Sequence, residues 1–376
     1  MRDPRVDFLR GVALLMIFID HLPGNFLASL TLRNFGFSDA AELFVLLAGF
    51  SSMMAYGGAF ARQGPVEGLR RVVQRVLWIY LYQAAMLYAV VVVVGGWVEH
   101  FGVEPASGAP FLHSGLEGLL RALLLQAQPA SLNILPLYIL LLSLFPLIYA
   151  LIRLGPGLAL FASGGLWLAV NLNPTINLTN WLDGQGWFFN PFAWQFLFTI
   201  GAVGAQAMRK TDEGNLPHPT WLRAVCWAYL GFALLWAAPW VSWGWADLHP
   251  FSLVTPSKTV LAPLRLLNIL AIATLALGSH WFRRISAWRG VNWVVACGRH
   301  SLEVFALGTM AALVSRLVFH TFGLTPLIQI FANGCGIALM IALAVTLEWW
   351  RQRRSAPASL PLSVGPRLVS VRDNTI

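Results

Sequence analysis

Apolar residues run through this chain in long blocks, not in the short amphipathic stretches of a water-soluble fold. Ten blocks stand out: 7–30, 37–60, 70–97, 132–153, 157–172, 190–208, 220–243, 259–281, 291–317 and 326–350. A membrane-spanning helix needs roughly 20 apolar residues. The pattern therefore predicts an all-α integral membrane protein of about ten transmembrane helices, with 157–172 the shortest. Two connections are long. Residues 98–131 include GLEGLLRALLLQ, whose apolar spacing predicts a helix lying along the membrane surface. Residues 173–189 are rich in Asn, Trp and Gly. Both connections could cover an outward-facing cavity. Residues 1–350 read as a single transmembrane domain and 351–376 as a basic cytoplasmic tail without sustained periodicity.

Composition sharpens this reading. Hydrophobic residues make up 57% of the 376 and charged residues only 11%, against about one quarter charged in soluble proteins. So few charges cannot cover a water-facing surface, and lipid is the solvent for most of the chain. The net charge of +9 would suggest nucleic acid in a soluble domain. Here it follows the positive-inside rule, and no nucleic-acid partner is expected. With a cytoplasmic N-terminus, 17 of the 25 basic residues fall in cytoplasmic segments, 3 in outside loops and 5 within spans. That asymmetry places both termini in the cytoplasm. Cys226, Cys297 and Cys335 form no paired framework and no CxxC, so neither a disulfide scaffold nor a metal site is indicated. Arg10 interrupts the first block, and Asp20-His21 stands where signal cleavage would occur, so the first helix reads as retained.

A charge at the bilayer centre costs at least about 2.5–3.5 kcal/mol on insertion scales, so each one needs a reason. The first block carries Asp7, Arg10, Asp20 and His21. Arg10 and His21 are about three helical turns apart, on one face, separated by roughly 16 Å. Asp39 and Glu42 share a face of the second helix, and Arg299 and Glu303 have the spacing of an ion pair on the ninth. Helix lengths bring His21, Glu42 and Glu303 to one membrane layer. Plainer roles suit other groups. Arg75 and Arg316 have the placement of snorkelling side chains, the loop histidines that of ordinary polar residues, and most of the 17 Trp that of interface belts. The adjacent acid and imidazole of Asp20-His21 fit proton relay or general-base chemistry better than packing. A carboxylate at Asp20 or Glu42 could fix the His21 tautomer, and His21 could take a proton from a sugar hydroxyl. Arg10, Arg71 and Arg75 cluster at the cytoplasmic face, where their planar donors suit phosphate. Residues alone do not separate this two-sided reaction from transport of an anion.

Several blocks are similar to a known family. FLRGVALLMIFIDH resembles the first-helix Arg–His pattern of the acyltransferase-3 superfamily of membrane acyltransferases. DAAELFVLLAGF resembles its second-helix signature, and RRVVQRVLWIY its following Arg cluster. More closely, the stretch from IDHLPGNF to SSMMAYG, with LNILPLYILLLSLFP, FFNPFAWQFLFTIG and CGRHSLEVF, resembles the OpgC branch, which succinylates osmoregulated periplasmic glucans. The resemblance runs in order over most of the chain. It implies a ten-helix O-acyltransferase of the bacterial inner membrane, carrying an acyl group from cytoplasmic acyl-CoA (succinyl-CoA or acetyl-CoA) to a periplasmic glycan, beside glucan-synthesis proteins. It implies His21 as the catalytic histidine, Arg10 as a donor-binding residue, and Arg71 and Arg75 as the basic pair. Succinyl recognition would need a cation near the acyl end, for which Arg299 and Arg265 are candidates.

A transporter is the rival class, but the two halves show no repeat of the kind many transporters carry. An assembly scaffold would leave Asp20, His21 and Glu42 unexplained. The charge asymmetry makes a direct prediction. A reporter fused after Arg354 should be active only when read from the cytoplasm, and periplasmic activity would reverse the topology.

Overall fold

The computed structural model describes residues 3–103, 111, 113–129, 131–211, 214–216, 219–251 and 255–355. The remainder of the expected basic tail and part of the 98–131 connection lie outside them. Each of the ten apolar blocks contains a helix. They are α1 (Pro4–Asp20), α2 (Ala40–Ser52) continuing into α3 (Gly58–Gln63), α4 (Pro65–Phe101), α6 (Ile134–Leu154), α7 (Pro156–Leu172), α8 (Pro191–Arg209), α9 (Thr220–Ala237), α10 (Pro263–Gly278), α12 (Asn292–Arg299) with α13 (Ser301–Phe322), and α14 (Pro326–Ser355). Two shorter helices are α5 (Gly115–Leu123) and α11 (His280–Ser286). No strand occurs among the described residues; a lone bridge joins Thr179 and Gly186.

The starts follow local chemistry. Proline stands first in α1, α4, α7, α8, α10 and α14, where its missing N–H costs nothing and its fixed φ suits the helix. Asp39 and Glu42 form a capping box on α2: Asp39 accepts from the Ala41 N–H at 2.8 Å, and Glu42 accepts from the Asp39 N–H at 3.0 Å. The α1 helix ends at Asp20, ten residues before its apolar block does. Pro23 cannot continue it, Gly24 turns left-handed at φ +63°, and a 3-10 turn follows at Phe26–Leu30.

Six helices among the described residues are long and apolar enough to cross a membrane, or seven if the α10–α11 pair, bent by 80°, is one span. This is fewer than the ten expected, and the shortfall is largely one of length: α1, α7 and α10 run for only 17, 17 and 16 residues. The α1 helix, with four charged residues in its 17, sits among α2, α12 and α13. A helix shielded by others need not be apolar on every face. In the outer helices α4, α9 and α14 only 28%, 11% and 22% of the apolar stretch is buried inside the bundle. Exposed Trp221, Trp281, Trp288, Trp293, Trp349 and Trp350 lie at one end of the bundle, as an interfacial belt would.

At that Arg-rich end, buried Arg5 joins three segments. Its guanidinium donates to Asn215 Oδ1 at 2.7 Å and to the carbonyls of Leu277 at 2.6 Å and Gly214 at 2.7 Å, and it pairs with Asp3 at 2.7 Å. At the opposite end, Asn25 and Asn333 exchange side-chain hydrogen bonds of 2.9 and 2.8 Å. The two long connections meet there as well. The Trp181 N–H donates to the Gln126 carbonyl and the Gln128 N–H to Asn180 Oδ1, both at 2.8 Å. The α5 helix lies where its apolar spacing predicts one, with Leu116, Leu120 and Leu124 exposed along it.

Glycines set the central helix crossings. A Cβ on Gly49 would lie 1.9 Å from the Phe198 carbonyl oxygen, and one on Gly201 2.0 Å from that of Leu46. Likewise Gly298 faces the Asp7 carbonyl at 1.8 Å and Gly11 that of Val294 at 2.0 Å. In each case backbone meets backbone, as in small-residue contacts between membrane helices. Gly201→Val should therefore destabilise the protein by at least about 2–3 kcal/mol, read as a lowered thermal midpoint in detergent. Gly157→Ala, which meets open space, should leave the midpoint nearly unchanged.

Candidate active site

Two breaks in regular helix shape a cavity at the Arg-rich end. The α2 helix widens into a π-turn at Met53–Gly57, and α12 breaks from α13 at His300. Single π-turns often mark functional sites, and irregular backbone at membrane depth persists where it is buried in protein or lines a cavity. Between the breaks lies a cavity of about 750 Å³ that includes Met54, Ala55 and Tyr56 of the π-turn and Ser301 beyond His300. Arg10, Arg62, Arg75 and Arg209 line it, set against Asp3 and Asp7. Arg10 donates to the Leu47 carbonyl at 3.1 Å and to the Ser51 hydroxyl, which aims its side chain across α2.

Of the residues expected to hold the donor, Arg10 and Arg75 meet in this cavity. Arg71 lies outside it. It is exposed, pairs with Glu67 at 2.9 Å, and lines a neighbouring groove of about 660 Å³ that shares Ala55, Tyr56 and Arg75 with the cavity. Arg299 does not pair with Glu303. It binds Glu348 at 2.9 Å and lies 3.6 Å from Asp7, so it sits at the α1 start and not at the depth of His21. His300 also binds Glu348, at 3.2 Å. Sequence reasoning missed Arg62 and Arg209 as cavity residues. Both counted only as charges at helix ends, and nothing local shows that α3 and α8 finish beside Arg10.

His21 caps the other end of α1. Its Nδ1 lies 2.6 Å from the Ile17 carbonyl. A carbonyl only accepts, so Nδ1 carries the proton and Nε2 is left as the basic nitrogen. The ring lines a narrow crevice of about 10 Å³, with Phe305, Gly308 and Ala312 of α13 and Met340 of α14 opposite. That is room for about one water. Gly308 keeps it open: a Cβ there would meet Met340 at 3.0 Å.

The carboxylates expected to orient His21 make their bonds elsewhere. Asp20 accepts from the Thr31 hydroxyl at 2.6 Å, with Arg33 at 3.7 Å. Glu42, fully buried, accepts from Arg265 at 2.6 Å. Asp39 pairs with Lys258 at 2.5 Å and Arg265 at 3.2 Å. The Ile17 carbonyl, not a carboxylate, therefore sets the tautomer. Arg33 and Arg265 also line a cavity of about 600 Å³ walled by Phe37, Trp236 and Phe251, with Asp247 and His249 at its rim. It opens on the His21 side of the bundle. Its aromatic faces and charged groups suit a polar ligand with an apolar side, such as a sugar ring. Among the described residues no group of three or more His, Cys, Asp or Glu could hold a metal.

A helical bundle with exposed apolar helices outside and ionisable groups along its central helix is a multi-pass membrane protein. The chain belongs to the OpgC family: the family model described as OpgC protein matches residues 2–352. Comparison with curated proteins gives no match. Family membership points to a membrane acyltransferase that modifies glucans.

The buried charge cluster generates its own prediction. Arg265→Met strands Glu42 without its cation and should cost about 3–5 kcal/mol. Adding Glu42→Gln should recover most of the loss, with thermal unfolding of the single and double variants as the measurement.

Proposed function

We propose that the protein transfers an acyl group from cytoplasmic acyl-CoA to a hydroxyl of a periplasmic glycan, across the inner membrane of a bacterium and with both termini in the cytoplasm. One observation carries this reading. The first helix has an arginine-lined cavity at one end and, roughly 16 Å along it, a histidine whose Nδ1 is held by its own backbone. Arg10, Arg62, Arg75 and Arg209 suit the phosphates of coenzyme A, since guanidinium forks match phosphate oxygens. Arg71, in the adjoining groove, suits the outer part of the same ligand. The long thin arm of the coenzyme would run beside α1 and bring its thioester to His21.

At His21 the acceptor hydroxyl attacks the thioester carbonyl. The new C–O bond forms, the C–S bond breaks, and the hydroxyl proton passes to Nε2. His21 then returns that proton to the leaving thiolate, so free CoA and an acyl ester are the products. A crevice this narrow excludes bulk water, and it would have to widen to admit the coenzyme's arm. Asp20 and Glu42 contribute charge near this layer without touching the imidazole, and the aromatic cavity beside Arg33 is the acceptor's approach. The transferred group is succinyl or acetyl, and no metal takes part.

In nanodiscs supplied with acyl-CoA and a glucan, His21→Ala should lower transfer by roughly 10²–10⁴-fold while donor binding persists. Arg10→Ala should instead weaken donor binding, and Arg10→Lys should restore only part of it. Near-normal transfer by His21→Ala would remove the base from this scheme.

A further inference from the structure

One half-buried cation on the far side of His21 is left over from this scheme. Gly308 and Ala312 present the face of α13 that borders the His21 crevice. Arg316 follows Ala312 by four residues, on the same face and about 6 Å further from the Arg-rich end. Its side chain is half-buried. Its Nη1 donates to the Ser131 hydroxyl at 2.9 Å, and its Nε is buried with no hydrogen-bond partner among the described residues. No carboxylate pairs with it there. A guanidinium whose Nε is buried without a partner or counter-charge carries a desolvation cost that an anion would offset.

The surroundings point the same way. Ser131 is held at φ +72°, a left-handed backbone that is uncommon outside glycine. Next to it, the Leu132 carbonyl accepts from Gln83 Nε2 at 3.3 Å. Gln83 Oε1 and both side-chain polar atoms of Gln128 are also buried without partners among the described residues. Unsatisfied polar groups thus border the short segment 128–132, at the end of the crevice opposite the donor cavity. The other cations considered for this role are engaged. Arg299 lies at the start of α1, and Arg265 is held by Glu42 and Asp39.

We propose that Arg316, seated on Ser131, receives the free carboxylate of a dicarboxylic acyl group whose thioester lies at His21. The inference rests on the acyl-transfer reading above. A four-carbon dicarboxylic acyl chain spans about 5 Å from its carbonyl carbon to its carboxylate, close to the one helical turn between Ala312 and Arg316. A two-carbon acyl group has nothing to reach that far. A neutral four-carbon chain would bring a methyl against an uncompensated cation.

Equilibrium binding of succinyl-CoA and butyryl-CoA tests this in full-length His21→Ala protein, where turnover is blocked. Succinyl-CoA should bind roughly 10–100-fold more tightly than butyryl-CoA. Adding Arg316→Met should bring that ratio close to one, and Arg316→Lys should keep part of it. Ser131→Ala should lower the ratio in the same direction, and it serves where the methionine variant does not fold. An unchanged ratio, or equal weakening of both esters, would overturn the assignment. If the ratio behaves as stated but wild-type protein transfers neither acyl group to a glucan, the acyl-transfer reading falls and the anion site stands. Binding of neither ester overturns both.

Discussion

Charge within an apolar solvent has to be partnered, and the first helix concentrates that demand. Arg5, Asp7, Arg10 and Asp20 lie within 17 residues, with His21 as the cap. In lipid each would cost several kcal/mol. The bundle meets the demand by wrapping α1. Arg5 is saturated by carbonyls, Asn215 and Asp3, Asp7 faces Arg299, and Arg10 is held across α2. Such partners lie within reach only if neighbouring backbones come close. The glycines do this for α1 against α12 and for α2 against α8, where a single Cβ would collide with a carbonyl.

The same constraint explains where regular helix fails. A broken helix exposes N–H and C=O groups that lipid cannot satisfy, so breaks at depth accompany polar cavities. The π-turn at Met53–Gly57 and the break at His300 both border the arginine-lined cavity. The early end of α1 at Asp20 leaves His21 on a helix terminus, bonded to Ile17. The two halves of the proposed chemistry thus sit at opposite ends of one short helix. A crevice of about 10 Å³ lies along its far end, which favours reaction over passage.

Charged groups outside α1 divide into two kinds. Asp39, Glu42, Lys258 and Arg265 satisfy one another and cap α2, so they hold the helices that surround His21. Arg316 keeps its Nε without a hydrogen-bond partner among the described residues, as do side-chain atoms of the neutral amides Gln83 and Gln128. Groups in the first kind resist unfolding, and those in the second are the ones on which the proposed carboxylate site rests. Burial is common to both, so it is the state of the partners that distinguishes them.

Much of this was legible in the sequence. Apolar blocks located the long helices, prolines and the Asp39–Glu42 box marked several starts, and the spacing of Arg10 and His21 put both on one helix, because these properties depend on a few consecutive residues. The number of spans was less legible. Apolar blocks run on past helix ends: α1 stops at Asp20 inside a block that continues to residue 30, and α7 and α10 are as short. The partners of the ionisable groups were not legible at all. Arg299 and Glu303 have ion-pair spacing, yet Arg299 turns to Glu348, 49 residues away, because the helix breaks at His300. Glu42 goes to Arg265, Arg62 and Arg209 reach the cavity of Arg10, and Arg316 reaches Ser131. Those contacts depend on how distant helices rotate and approach in the bundle. Local spacing carries no record of that rotation, so only the tertiary structure could decide them.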